Sequence, residues 1–101
     1  MKKILLVCSA GMSTSLLVSK MREEAERKGI EVDINALSIS ECSTVLDKVD
    51  IVLLGPQVRF HKGNIEKQVA GRIPVEVIDM RLYGTMNGKA ILESTLEKIG
   101  E

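Results

Sequence analysis

Aromatic side chains are nearly missing from this chain: Phe60 and Tyr83 stand alone among 101 residues, and tryptophan is absent. Without them there is no platform on which bases could stack. The 14 basic residues are matched by 14 acidic ones, which removes the basic face that nucleic-acid binding normally needs. No apolar run approaches the ~20 residues of a membrane-spanning helix. Met1-Lys2-Lys3 followed by Ile4-Leu5-Leu6-Val7 has the outline of a signal peptide. Its apolar part is too short, however, and it runs into a Ser-rich turn instead of a cleavage site. With two cysteines and no secretory mark, Cys8 and Cys42 are expected to be reduced thiols of a cytoplasmic protein. His61 is the only histidine, and no cluster of His, Cys and carboxylates has ligand spacing. Neither a metal nor any other cofactor is expected.

What the chain has in quantity is aliphatic. Hydrophobic residues make up 45% and aromatics 2%, so the core must be assembled from Ile, Leu, Val, Met and Ala. The length suits one domain over residues 1–101. A domain of this size buries roughly 60–70% of the surface its unfolded chain exposes, and needs no disulfide or metal staple.

Short apolar runs alternate with longer amphipathic segments. Strands are expected at Lys3–Cys8, Glu31–Ala36, Asp50–Leu54 and Pro74–Ile78. Helices are expected at Ser13–Lys28, with Leu16, Leu17, Met21 and Ala25 facing inward, at Lys62–Ala70, and at about Asn87–Ile99. Gly29 closes the first helix, and a short helix over Ser40–Leu46 has Ser40 as its cap. Strands alternating with helices imply an α/β fold, a three-layer sandwich with a four-stranded parallel sheet flanked by helices. The runs at Ile4 and Ile51 are apolar almost throughout, as parallel strands covered on both faces must be. In such sheets ligands sit beyond the carboxyl ends of the strands, where the strand order reverses. That directs attention to residues 8–15, 37–40, 55–60 and 79–84.

The segment Cys8-Ser9-Ala10-Gly11-Met12-Ser13-Thr14-Ser15 joins a strong strand to a strong helix, and all its residues but Met12 are small. Small residues let the backbone turn its N–H groups inward, and the following helix adds the positive end of its dipole. The expected product is a cradle for a phosphate-sized anion, with the Cys8 thiolate stabilised as a nucleophile at its lip. The spacing resembles the phosphate loop of low-molecular-weight tyrosine phosphatases, in which an arginine lies six residues after the cysteine. Here that position is Thr14, and the nearest arginine is Arg22, inside the helix. Without a guanidinium to clamp the equatorial oxygens, the loop suits holding a thiophosphate better than hydrolysing it.

Ile4 to Val18, through Cys8-Ser9-Ala10-Gly11-Met12-Ser13-Thr14-Ser15, resembles the opening of the lactose/cellobiose-type enzyme IIB components of the bacterial sugar phosphotransferase system. Asp50 to Val58 and Pro74 to Asp79 resemble later segments of that family, in order and suitably separated. The likeness covers essentially the whole chain and is weakest from Ser38 to Val49. It implies that Cys8 accepts phosphate from a phosphohistidine of enzyme IIA and passes it to a sugar held by membrane-embedded enzyme IIC. A β-glucoside or a disaccharide such as cellobiose or lactose follows from the resemblance only. The amides of Ser9, Ala10, Gly11, Met12, Ser13, Thr14 and Ser15 would hold the phosphate oxygens. A phosphatase-like or arsenate-reductase-like thiol enzyme, or a regulatory phosphoprotein, are the alternatives. Nothing demands more than a monomer.

Other residues carry weaker signals. Cys42 reads as structural, and His61 as solvated unless it meets a partner. Gly55-Pro56-Gln57 is a turn or a wall of the phosphate site, Asp79 a cap, and Tyr83 a rim residue. Met12, large and apolar in a polar loop, is expected to help dock partners.

Overall fold

Four short strands build one sheet: β1 (Lys2–Cys8), β2 (Val32–Ser38), β3 (Ile51–Leu54) and β4 (Val75–Val77). They lie in the order β2-β1-β3-β4, and every pairing is parallel. The structure is a computed structural model that describes residues 1–8 and 12–100, with the backbone alone for residues 12–14. Four helices accompany the strands: α1 (Met12–Lys28), α2 (Lys62–Val69), α3 (Met80–Gly84) and α4 (Gly88–Lys98). The expected α/β architecture, a four-stranded parallel sheet with helices, is therefore present.

Side chains of successive strand residues leave opposite faces of a sheet, and β1 uses both. Ile4 and Leu6 point into one core with Leu17 and Met21 of α1, Leu53 of β3, and Ile91 and Leu92 of α4. Leu5 and Val7 point into a second core with Leu46, Val58, and Ile65 and Val69 of α2. That is why β1 and β3 read as unbroken apolar runs. Leu6, Leu54 and Leu92 are fully buried, and each such side chain contributes about 1.5–3 kcal/mol relative to exposure.

Helix α1 ends where Gly29 takes a positive φ of 69°. Gly29 N–H donates to the Glu26 carbonyl at 3.1 Å and Ile30 N–H to the Ala25 carbonyl at 2.9 Å, which satisfies carbonyls the helix leaves open. Leu17, Val18, Met21 and Ala25 face the core, but Leu16 is 52% exposed, against expectation. At 100° per residue a face centred on Leu17 and Met21 leaves Leu16 on its outer flank. The middle of α1 touches the start of α4. A Cβ on Gly88 would stand 2.9 Å from the Lys20 backbone carbon and 3.0 Å from the Met21 nitrogen, so only glycine allows this approach.

On the outer side of β2, Arg22 donates from Nε and Nη2 to the Ile34 carbonyl at 3.1 and 2.5 Å. An otherwise open carbonyl of an edge strand is thereby occupied.

The helix expected over Ser40–Leu46 is instead two 3₁₀ turns, Cys42–Thr44 and Leu46–Lys48. Ser40 does not cap them: its hydroxyl lies 3.0 Å from that of Ser38. Thr44 bonds back to the Glu41 carbonyl at 2.8 Å. Such local side-chain bonds compete with regular helix. Two further elements had no counterpart in the pattern, the 3₁₀ stretch Pro56–His61 and helix α3.

Candidate functional site

Strand β1 connects to β2 on one side, while β3 lies on the other. The order thus reverses between β1 and β3, and a crevice at the carboxyl ends of these two strands is where parallel sheets bind ligands. Cys8 is the last residue of β1 and is buried, with 3% exposure. It is paired with Ser38 of β2, and its carbonyl accepts from Ile39 N–H at 3.0 Å. On the β3 side, Gly55 N–H donates to the Val7 carbonyl at 2.8 Å. Leu6 is paired with Leu53, so two residues on Cys8 and Gly55 are neighbours on the same face. Cys8 therefore ends a strand at the switch point, with α1 beginning at Met12. Ser9, Ala10 and Gly11, and the side chains of Met12, Ser13 and Thr14, lie outside the described residues, and so does the expected phosphate cradle. Ser15 is exposed on the first turn of α1.

Around this point several expected residues take definite roles. A Cβ at Gly55 would meet Gln57 Oε1 at 3.2 Å, the Val7 carbonyl oxygen at 3.5 Å and Tyr83 Cε2 at 3.6 Å. The Gly55-Pro56-Gln57 segment opens the 3₁₀ stretch Pro56–His61, and Gln57 and Tyr83 both lie near the end of β3. Tyr83 is buried in the core shared by Ile4, Leu6 and Leu53. Asp79 is the cap of α3, its Oδ1 accepting from Arg81 and Leu82 N–H at 2.9 and 3.1 Å. Those bonds fix α3, and with it Tyr83, one turn further on. On the other flank Ser38 donates to Glu41 Oε1 at 2.8 Å. His61 packs its ring against Phe60, with centroids 4.4 Å apart.

Large apolar side chains reach solvent in the segments that follow the carboxyl ends of the strands. Phe60 is 75% exposed, Met80 66% and Leu16 52%. They come after β3, β4 and β1 respectively. Sequence reasoning missed Leu16 by assigning it to the core; fixing the phase of α1 on Leu17, Met21 and Ala25 would have found it.

Cys42 belongs elsewhere. It packs in the second core with Leu5 and Val7 and donates from Sγ to the Ile39 carbonyl at 3.3 Å. Burial pushes its thiol above the ordinary 9.0. Neither cysteine is in a disulfide. Among the described residues no group of His, Cys, Asp and Glu could hold a metal, and no helix is long and apolar enough to cross a membrane. A surface depression of about 640 Å³ lies at the opposite edge among Met1, Lys2, Gly29, Ile30, Glu31 and Asp50. It is open, and neither cysteine is among its lining residues.

Comparison with known proteins bears directly on these features. Residues 3–94 match the family described as PTS system, Lactose/Cellobiose specific IIB subunit. The chain is 48% identical over 97 residues to the PTS system oligo-beta-mannoside-specific EIIB component of Bacillus subtilis (strain 168), covering 95% of this chain and 94% of that one. It is 46% identical over 98 residues to the PTS system galactose-specific EIIB component of Lactococcus lactis subsp. cremoris (strain MG1363), covering 90% of each. Among solved structures, the cellobiose-specific phosphotransferase IIB component from Borrelia burgdorferi superposes with a TM-score of 0.81 at 42% identity, over 98% of this chain and 92% of that one. The lactose-specific IIB domain from Streptococcus pneumoniae shares the fold at a TM-score of 0.87 and 19% identity, over 96% of each. IIB components are sugar phosphotransferases that work with IIA and IIC partners. The chain belongs to the lactose/cellobiose-specific IIB family of the sugar phosphotransferase system (PTS) and is a phosphoryl carrier of that system.

Proposed function

We propose that Cys8 is the residue that carries the phosphoryl group, and that the loop from Ser9 to Ser15 binds its oxygens through backbone N–H groups. The observation that supports this best is the place of Cys8 at the carboxyl end of β1, at the switch point and just before α1. In the first transfer the P–N bond of a phosphohistidine on IIA breaks as a P–S bond forms, and the thiol proton ends on the released imidazole. In the second, the P–S bond breaks as a P–O bond forms to a sugar hydroxyl. The hydroxyl's proton ends on the released thiolate, so no further reactant is needed. Phosphorylated IIA and sugar-loaded IIC dock in turn on the exposed Leu16, Phe60 and Met80, with Met12 beside them. The protein is a monomer when isolated and meets the inner face of the membrane only through IIC.

The acceptor is a β-glucoside or β-linked disaccharide. Relatives 46–48% identical carry names for different sugars, an oligo-beta-mannoside and galactose. Such divergence at similar identity fits a carrier that leaves sugar choice to IIC.

The test is the intact mass after incubation with phosphoenolpyruvate and a relay ending in IIA. Wild type gains one phosphoryl group and Cys8→Ser gains none. No gain with several IIA proteins of this family would overturn the assignment, and hydrolysis of an aryl phosphate by the protein alone would favour a thiol phosphatase. Adding IIC membranes and sugar separates a transporter component, which discharges to the sugar, from a purely regulatory phosphoprotein, which does not.

A further inference from the structure

Tyr83 is 7% exposed, yet its hydroxyl has no hydrogen-bond partner among the described residues. A buried phenol normally finds one, and an unpaired buried donor is a cost that folding alone gives no reason to keep. Its position suggests what the hydroxyl is for. Tyr83 shares a core with Ile4, Leu6 and Leu53, the face on which Cys8 and Gly55 are the next residues of their strands. The ring meets the Gly55 position through Cε2, at 3.6 Å from where a Cβ would stand. Cε2 adjoins the carbon that bears the hydroxyl, so the polar end of the ring abuts the end of β3. Adjacent strands are about 4.8 Å apart, so the Gly55 position that the ring meets lies about one strand spacing from Cys8.

We propose, resting on the carrier reading above, that the Tyr83 hydroxyl is a phosphoryl-binding donor that hydrogen-bonds an oxygen of the phosphoryl group on Cys8. The incoming group is anionic and rich in acceptors, and the segment from Cys8 to Ser15 contains no arginine. Thr14 stands where a phosphatase has arginine, and Arg22 is committed to the Ile34 carbonyl. A neutral donor suits a carrier. It stabilises the loaded state without the fixed charge that would hold the group too firmly to be passed on.

The experiment loads wild type and Tyr83→Phe from phosphorylated IIA and measures three quantities. These are the equilibrium partition of label between IIA and the carrier, the ³¹P titration midpoint of the phosphocysteine, and the rise in melting temperature on loading. In Tyr83→Phe the partition should shift about tenfold toward IIA, the size of one hydrogen bond to a charged group. The titration midpoint should rise, since the dianion loses a donor, and loading should raise the melting temperature less than in wild type. Unloaded Tyr83→Phe should melt no lower than unloaded wild type, because the hydroxyl lost has no partner there. An unchanged partition and midpoint would overturn the proposal and leave Tyr83 a packing residue. Failure of wild type itself to load at Cys8 would instead overturn the carrier reading, and this inference with it.

Discussion

The two cysteines show how differently one protein can house the same group. Cys8 ends a central strand at the crevice between β1 and β3, on the face covered by α1 and α4. Cys42 sits in the opposite core, in a 3₁₀ turn behind Leu5 and Val7, with its Sγ bonded to a backbone carbonyl. Both are buried, so exposure alone does not tell them apart. What differs is the neighbourhood: a strand end with a helix start for one, aliphatic packing on every described side for the other. Position in the topology, not burial, is what separates the proposed carrier thiol from the other.

Alkylation gives the largest contrast. Cys8 must be reached by partners if it is the carrier, whereas Cys42 reacts only when its core opens. For a domain of ordinary stability such opening is rare enough to slow reaction by at least ~10³. Iodoacetamide mass mapping of the native protein should therefore label Cys8 first by that margin. Equal rates would dissolve the distinction.

The same contrast of edge and interior holds for neighbouring leucines. Leu17 is fully buried and Leu16 half exposed. Leu17→Ala should cost about 2–5 kcal/mol in denaturant unfolding, and Leu16→Ala within about 0.5 kcal/mol. Leu16→Ala should nonetheless slow phosphoryl uptake from IIA severalfold at limiting concentrations. If uptake is unaffected by Leu16→Ala, Phe60→Ala and Met80→Ala alike, these side chains are not the docking surface.

The smallest effect concerns protons. Burial raises the Cys42 thiol above 9.0 in the folded chain, so the folded state keeps this proton longer than the unfolded one. The stability this brings is complete below pH 9 and is lost as pH rises through the raised folded value. A decline in stability is expected there, and Cys42→Ala should flatten that alkaline limb. If the limb persists in the variant, another group is responsible.

Much of this arrangement could be read from the residues. The apolar runs at Ile4 and Ile51, the period of α1 and its Gly29 stop, and the cap-ready Asn87 before α4 are strong local signals that tertiary packing does not overrule. Asn87 does cap, its Oδ1 accepting from Ala90 N–H at 3.1 Å. The switch-point cysteine was legible because topology follows from the alternation of elements. The stretch from Ser38 to Lys48 was not, since its Ser and Thr hydroxyls bond locally and leave no period to detect. Helix α3 is five residues long, too short for a periodic signal, although Asp79 announced its start. The placement of Tyr83 could not be read at all, because its core contacts with Ile4, Leu6 and Leu53 are made across the fold by residues far away in the chain.

The bond from Arg22 to β2 takes one acceptor from an otherwise open strand margin. A parallel sheet has two open margins, and an unpaired strand margin invites another chain to add itself. Here one margin is β4, only three residues long, and the other is β2, seven residues long with its Ile34 carbonyl already taken. With β4 this short and a β2 carbonyl occupied, the docking proposed for Leu16, Phe60 and Met80 would not have to rely on strand addition. A carrier that must leave each partner as readily as it joins gains from contacts made by side chains alone, which part without unzipping a ladder.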